Sequence, residues 1–309
     1  MRGALELRGA EGPSSARLDA GLRSIKLGAL SEPGASPFPD VESWAEHYVR
    51  SSDLRTKLAP PPPPASFREG ARPLRLAQPG RPPELRAARR GERTPKLEAL
   101  KEPYYRARTL HAFLHHELQA AELMCWAILA FPDAELEFRR GLLRICLDEI
   151  RHMNLYREHI EALGSRVGDF GIRDWFWKRV PSCQTPLSFV SLMGMGLEAA
   201  NLEHANNFAA RFRVAGDDTG ALIQERIALE EVAHVAFGTH WFERWTGGCD
   251  FEKWSNALPP PISPWGLHGK PLAWAARRRA GMSDDFLTAL ERYVPTPKGR
   301  GAVSPSSAE

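Results

Sequence analysis

The chain is 309 residues long, 43 % hydrophobic and 26 % charged, with 41 Lys and Arg against 38 Asp and Glu and a formal net charge of +3. That length suits one large domain or two modest ones, and so small a charge does not by itself argue for nucleic acid or membrane. No stretch reaches the ~20 apolar residues of a bilayer span, no apolar signal core opens the sequence, and Cys125, Cys146, Cys183 and Cys249 form no CxxC pair, so a reduced, cytoplasmic protein is expected rather than a zinc ribbon or a disulfide scaffold.

Fifteen of the 26 prolines lie at or before Pro103. Proline breaks helix interiors, so residues 1–105 are predicted to be mostly irregular. One short helix is expected over 41–58, with no element assigned to 1–40. Pro60–Pro64 reads as a stiff polyproline II spacer. Residues 65–110 hold twelve Arg or Lys against five Glu. Two readings fit that stretch: a solvated strap lying over the helices, or an arm that contacts RNA or an acidic partner.

Only Pro132, Pro181 and Pro186 fall between Tyr104 and Asp250, which leaves room for long helices. The first is predicted over 106–130, stopped by Phe131-Pro132-Asp133. The second runs over 135–163, with Gly164 just past its end. An aromatic loop with Trp175, Phe176 and Trp177 occupies 165–184. Pro186 suits the first turn of a third helix reaching about 214. A fourth follows Gly216-Asp217-Asp218 and runs to about 245. Residues 106–248 thus describe an all-α four-helix bundle, two hairpins joined by one long connection. Residues 249–309 form a C-terminal extension with a short helix near 283–293 and a polar tail.

The second helix contains Asp148-Glu149-Ile150-Arg151-His152 and the fourth Glu230-Glu231-Val232-Ala233-His234, each a Glu-x-x-His. Positions i and i+3 share a helix face, so each motif offers a carboxylate and an imidazole to one point. Both motifs lie on apolar stripes, where an uncompensated carboxylate costs several kcal/mol. A divalent metal is the economical counter-charge, because Glu and neutral His are both ligands. Glu117 on the first helix and Glu198 on the third complete the pattern. Glu117 and Glu149 are 32 residues apart, Glu198 and Glu231 33, and the two hairpins repeat at 81 and 82. Glu122 and Glu203, also 81 apart, are the rival pair, otherwise expected around the ligands or on the helix surface. Tyr156, one turn past His152, is a candidate radical site or hydrogen-bond donor to a ligand, or else a core tyrosine. His111 and His115 read as exposed helix histidines. Gly194 and Gly196 leave room beside the metals or allow close helix packing.

Four Glu and two His converging in a bundle core resemble the ligand set of the ferritin-like di-iron carboxylate superfamily. The wider chain, with Pro79-Gly80-Arg81-Pro82-Pro83 and His116-Glu117-Leu118-Gln119-Ala120-Ala121-Glu122-Leu123, looks like an uncharacterised ferritin-like family of unknown function. The resemblance implies two Fe, with Mn possible, held by Glu117, Glu149, His152, Glu198, Glu231 and His234. It also implies that Asp148 accepts a hydrogen bond from His234 and Glu230 one from His152. The second motif departs from the superfamily pattern in carrying Glu230 for Asp and Ala233 for Arg.

The function so implied is a non-haem di-iron oxidoreductase, an oxygen-dependent hydroxylase supplied with electrons by a reductase. Its substrate would be a small molecule or, given the basic 65–110 stretch with Arg86, Arg89 and Arg90, a modified tRNA base. The alternatives are a ferroxidase that handles iron and a metal-free helical interaction module.

Overall fold

The computed structural model describes residues 36–88 and 95–295, and among these every regular element is helical. The exception to helix is one isolated parallel bridge between Ala87 and Ile172. Two short helices come first, α1 (Val41–Arg50) and α2 (Leu54–Leu58). The single helix expected over 41–58 is therefore split. Asp53 causes the break: its carboxylate accepts from the Arg55 and Thr56 N–H groups and starts a new helix. The expectations for 1–35 lie outside the described residues.

Four long segments follow. Helices α3 (Pro103–Ala130) and α4 (Leu136–Ala162) form one hairpin across the Pro132 turn. Pro103 sits at the first helical position, where its missing N–H costs nothing. Helix α5 (Pro186–Leu192) runs into a widened π turn (Met193–Glu198) and on into α6 (Ala199–Val214). Helix α7 (Asp218–Thr246) returns against α6 as the second hairpin and also packs on α4 and α5. The third helix is thus not the uninterrupted α-helix that 186–214 suggested. A π turn carries one extra residue, so the segment before it is rotated ~100° relative to the segment after it. Close contact accompanies the turn: a Cβ added to Gly238 of α7 would lie 2.8 Å from the Gly194 Cα, so the backbones touch only because both residues are glycine.

Three short helices close the chain, α8 (Phe251–Ala257), α9 (Trp274–Arg279) and α10 (Asp284–Arg292). The last matches the segment predicted near 283–293, with Ser283 as its cap, while α8 and α9 are additions to the sequence reading. One apolar core runs from Trp44 and Tyr48 through Trp126, Phe138 and Phe242 to Trp254 and Phe286. Residues 36–88 are part of it. Trp44 donates its indole N–H to the Pro61 carbonyl at 2.7 Å, which docks the proline run.

The basic stretch is a strap rather than a free arm in its described part. The Leu74 N–H donates to Leu129 at 2.9 Å, and Trp126 donates to Leu76 at 3.0 Å. Arg75 donates to the Cys183 and Gln184 carbonyls. Arg81 turns inward, and Gly80 passes so close to Arg50 that a Cβ would strike its carbonyl oxygen at 2.1 Å. Arg86 joins the bridge to Ile172 through its backbone, whereas Arg89 and Arg90 lie outside the described residues. No described helix is long and apolar enough to cross a membrane.

Candidate metal centre

Glu117 lies thirteen residues before the end of α3, and Glu149 thirteen after the start of α4, so the tight turn brings them to the same height. Glu198 closes the π turn and Glu231 sits mid-way along α7. The fold gathers all six candidate ligands. They form two sets, Glu117, Glu149, His152 and Glu231, and Glu149, Glu198, Glu231 and His234, each with donor atoms within 4.8 Å of one another. Glu149 and Glu231 belong to both. All six side chains are buried.

Both imidazoles aim the same nitrogen inward. His152 Nδ1 is 3.1 Å from Glu149, 3.8 Å from Glu231 and 4.0 Å from Glu117. His234 Nδ1 is 2.9 Å from Glu149 and 3.2 Å from Glu231. The outward nitrogens meet carboxylates of the opposite motif. His152 Nε2–H donates to Glu230 at 2.7 Å, and His234 Nε2–H to Asp148 at 3.4 Å. Such partners fix the tautomer that leaves Nδ1 free to ligate. Arg151 spans both outer carboxylates, 2.6 Å from Asp148 and 2.7 Å from Glu230, and Arg226 adds a second cation to Glu230 at 3.0 Å. The Ala233 departure in the second motif therefore leaves one Arg serving both sides.

The charge state follows from crowding. Burial and the nearby Glu149 push the Glu117 carboxyl well above its ordinary range, and burial with Glu231 does the same to Glu198. Burial opposes ionisation of Glu149, yet His234 and His152 hold its carboxyl well below the usual range. Burial also disfavours the charged imidazoles, but hydrogen bonds to Glu149 and Glu230 hold His152 at about 9, and Glu149 and Glu231 raise His234. Protons thus stand where cations would. Glu198 Oε1 is buried without a hydrogen-bond donor. A buried acceptor left open, converging carboxylates and inward imidazole nitrogens are what a pair of divalent ions requires.

The rival glutamates have other work, and neither is at the surface. Glu122 is fully buried between Lys57 at 2.8 Å and Arg81 at 2.5 and 2.8 Å, with the Trp177 indole donating at 2.8 Å. Lys57 completes its shell on the Tyr48 and Val49 carbonyls. Glu203 takes two hydrogen bonds from Arg277, each 2.8 Å, and two from the Gly269 and Ala273 N–H groups. Among the described residues neither is hydrogen-bonded to the cluster. Tyr156 is buried and its hydroxyl accepts from Gln224 at 3.0 Å rather than donating to a ligand.

His111 and His115 are buried, against the expectation that they face water. His115 Nε2 lies 3.1 Å from Asp174, and His111 accepts the Gly168 N–H at 2.9 Å, so both fasten the 165–184 loop. The sequence reading also missed Asn201, whose amide donates to Glu231 at 3.3 Å, and the buried thiols Cys125 and Cys146, 3.4 Å apart across α3 and α4. Thirty residues separate Asn201 from Glu231 and twenty-one separate the cysteines, so neither pairing carries a local signal.

A cavity of about 220 Å³ adjoins the centre on the Glu117 and Glu198 side. Trp175 and Phe176 of the aromatic loop form part of its wall, while Trp177 is buried behind them.

A family model described as "Protein of unknown function (DUF455)" matches residues 41–288. An uncharacterized protein of Haemophilus influenzae is 30 % identical over 156 residues, 48 % of this chain and 54 % of that one, so the match spans about half of either protein. No solved structure matches.

Proposed function

The chain belongs to that family of unknown function, whose name carries no activity, and from the buried cluster we propose a dinuclear non-haem metal protein of ferritin-like architecture, an iron-dependent oxidoreductase acting on an organic substrate. The single observation that carries this reading is the pair of overlapping donor sets sharing Glu149 and Glu231. Glu117, Glu149, His152 and Glu231 would hold one ion, and Glu149, Glu198, Glu231 and His234 the other. Four carboxylates balance two divalent charges, and this matching explains why so acidic a set can sit in a core. Two irons held there would supply oxidation by dioxygen, with the electrons delivered by a reductase.

The chain's own residues do the rest. Asp148 and Glu230 hold the Nε2 protons and so keep Nδ1 as the ligating atom. Arg151 keeps both of these carboxylates ionised and in place. Asn201 steers one oxygen of Glu231. Leu142, Ile145, Met193 and Phe237 exclude water beside His234 and Glu198. The cavity against Glu117 and Glu198 favours an organic substrate over iron handling alone.

Elemental analysis tests the proposal, on full-length protein purified from iron-supplemented and manganese-supplemented cultures and on the Glu149→Ala/His234→Ala variant. The expected result is close to two metal ions per chain, lost in the variant. Wild-type protein without stoichiometric metal under both regimes would overturn the reading.

A further inference from the structure

The cavity beside the centre has a chemistry of its own. Glu117 and Glu198 of the cluster are among its lining residues. Its walls are aromatic. The His116 ring stacks on Phe176, with centroids 5.2 Å apart and planes at 22°, and Trp175 stands on the edge of Phe176 at 5.7 Å. Phe113 lines the same side, 6.4 Å from His116. Asn201 and His204 supply the remaining polar atoms. Asn201 spends its amide N–H on Glu231, and among the described residues its carbonyl oxygen accepts no hydrogen bond.

Two properties narrow the occupant. No Lys, Arg or Asp is among the lining residues, and the only carboxylates are those of the cluster. An anionic ligand would enter without a counter-ion and bear its desolvation uncompensated, and a cationic one would have to compete for the Glu117 and Glu198 carboxylates that the cluster itself uses. Volume sets the second limit. A cavity of ~150 Å³ lined by apolar side chains holds one benzene ring. A space of about 220 Å³ is half as large again and holds two fused rings, not a ring with ribose and phosphate attached. Flat aromatic walls favour a flat guest, because stacked and edge-to-face contacts are each worth ~0.5–1.5 kcal/mol beyond the area they bury.

We propose that this cavity is a substrate pocket for an uncharged, fused bicyclic heteroaromatic compound, with a ring C–H to be oxidised lying against Glu117 and Glu198 and a ring N–H or hydroxyl donated to Asn201; the C–H would become C–OH with one atom of dioxygen, the other leaving as water with two protons and two electrons from a reductase. The oxidation rests on the dinuclear reading above, and the binding does not. The lining matches a free small molecule, since among its residues no Lys or Arg would anchor a phosphate backbone.

The test uses full-length protein loaded with zinc, which is redox-inert, and follows binding by ligand-observed NMR and calorimetry. The probes are indole, its charged analogue indole-3-carboxylate, and the non-planar alcohol cyclohexanol. Indole should bind with a millimolar or smaller Kd, as suits a fragment of its size. The other two should bind at least about tenfold more weakly. Ala200→Phe, which fills the cavity, should abolish indole binding, and Phe176→Ala, which leaves the helices intact, should weaken it about tenfold. Indole that fails to saturate, binds no better than the carboxylate, or ignores both substitutions would overturn the proposal. Metal content measured on the same samples separates the two readings. Indole binding without stoichiometric metal leaves the pocket standing and removes the metal centre, whereas bound metal without indole binding does the reverse.

Discussion

Metal binding at this cluster should release protons, and the structure sets how many. Imidazole ligates only when neutral, yet hydrogen bonds to Glu149 and Glu230 hold His152 at about 9. At pH 7 it is therefore protonated by roughly a hundred to one in metal-free protein. Glu149 and Glu231 raise His234 as well, so the two histidines together contribute close to two protons. Glu117 and Glu198, raised by burial and by their neighbours, add up to two more. The expected release is two to four protons for two ions bound. The sign follows: protons compete with metal, so affinity falls as pH drops below about 9 and rises as pH increases. Two protons give a slope of about two in log K against pH, a hundredfold for one pH unit. Calorimetric titration of zinc into metal-free protein at pH 7, in buffers of different ionisation enthalpy, measures the count directly. His152→Gln should lower it by about one. Fewer than one proton released while two ions bind would refute the argument, because the imidazoles could not then be the protonated ligands.

Three further outcomes are expected. Glu122→Ala strands Lys57 and Arg81 as buried cations, so it should cost roughly 3–5 kcal/mol in urea denaturation while leaving two metal ions bound. Loss of metal at preserved stability would instead make Glu122 a ligand. Asp148→Asn and Glu230→Gln should each weaken zinc binding roughly 10–100-fold in competition with a chromogenic chelator. Unchanged affinity in both would remove their orienting role. Gly238→Ala places a methyl 2.8 Å from the Gly194 Cα and should destabilise by about 1–3 kcal/mol on thermal or chemical unfolding. A neutral effect would mean that the π turn gives way easily.

What could be read from the sequence was whatever is local or repeated. The Glu-x-x-His motifs depend on i,i+3 geometry, and the spacing of about 32 residues within each hairpin marks Glu117 and Glu198 as their companions. Proline placement separates the long helices from the irregular first third. The features that escaped depend on distant partners or on direction. The 65–110 stretch shows its positive charge in composition, but nothing local says that Arg81 points at Glu122, 41 residues on. His115 looks like a surface histidine until Asp174, 59 residues later, folds back over it. Gly194 reads correctly as a mark of close helix packing, since it meets Gly238 on another helix, but the π turn that holds both Gly194 and Gly196 has no local signal. The break at 51–53 was local and legible, since Ser-Ser-Asp is a capping sequence.

Glu122 and Glu203 occupy equivalent places in the two hairpins, and each is neutralised from outside them. Glu122 takes Lys57 and Arg81 from the segment that precedes the helices, and Glu203 takes Arg277 from the segment that follows. Each hairpin therefore stays electrostatically unfinished until the flanking chain has closed on it. On a ribosome, the second closure waits for Arg277, after every candidate metal ligand has been synthesised. A chain cut short before that residue would carry a naked carboxylate five positions from Glu198 on the same run of helix. The clasp therefore ties the settling of Glu203, and of the run of helix it shares with Glu198, to the docking of a segment more than seventy positions later in the chain.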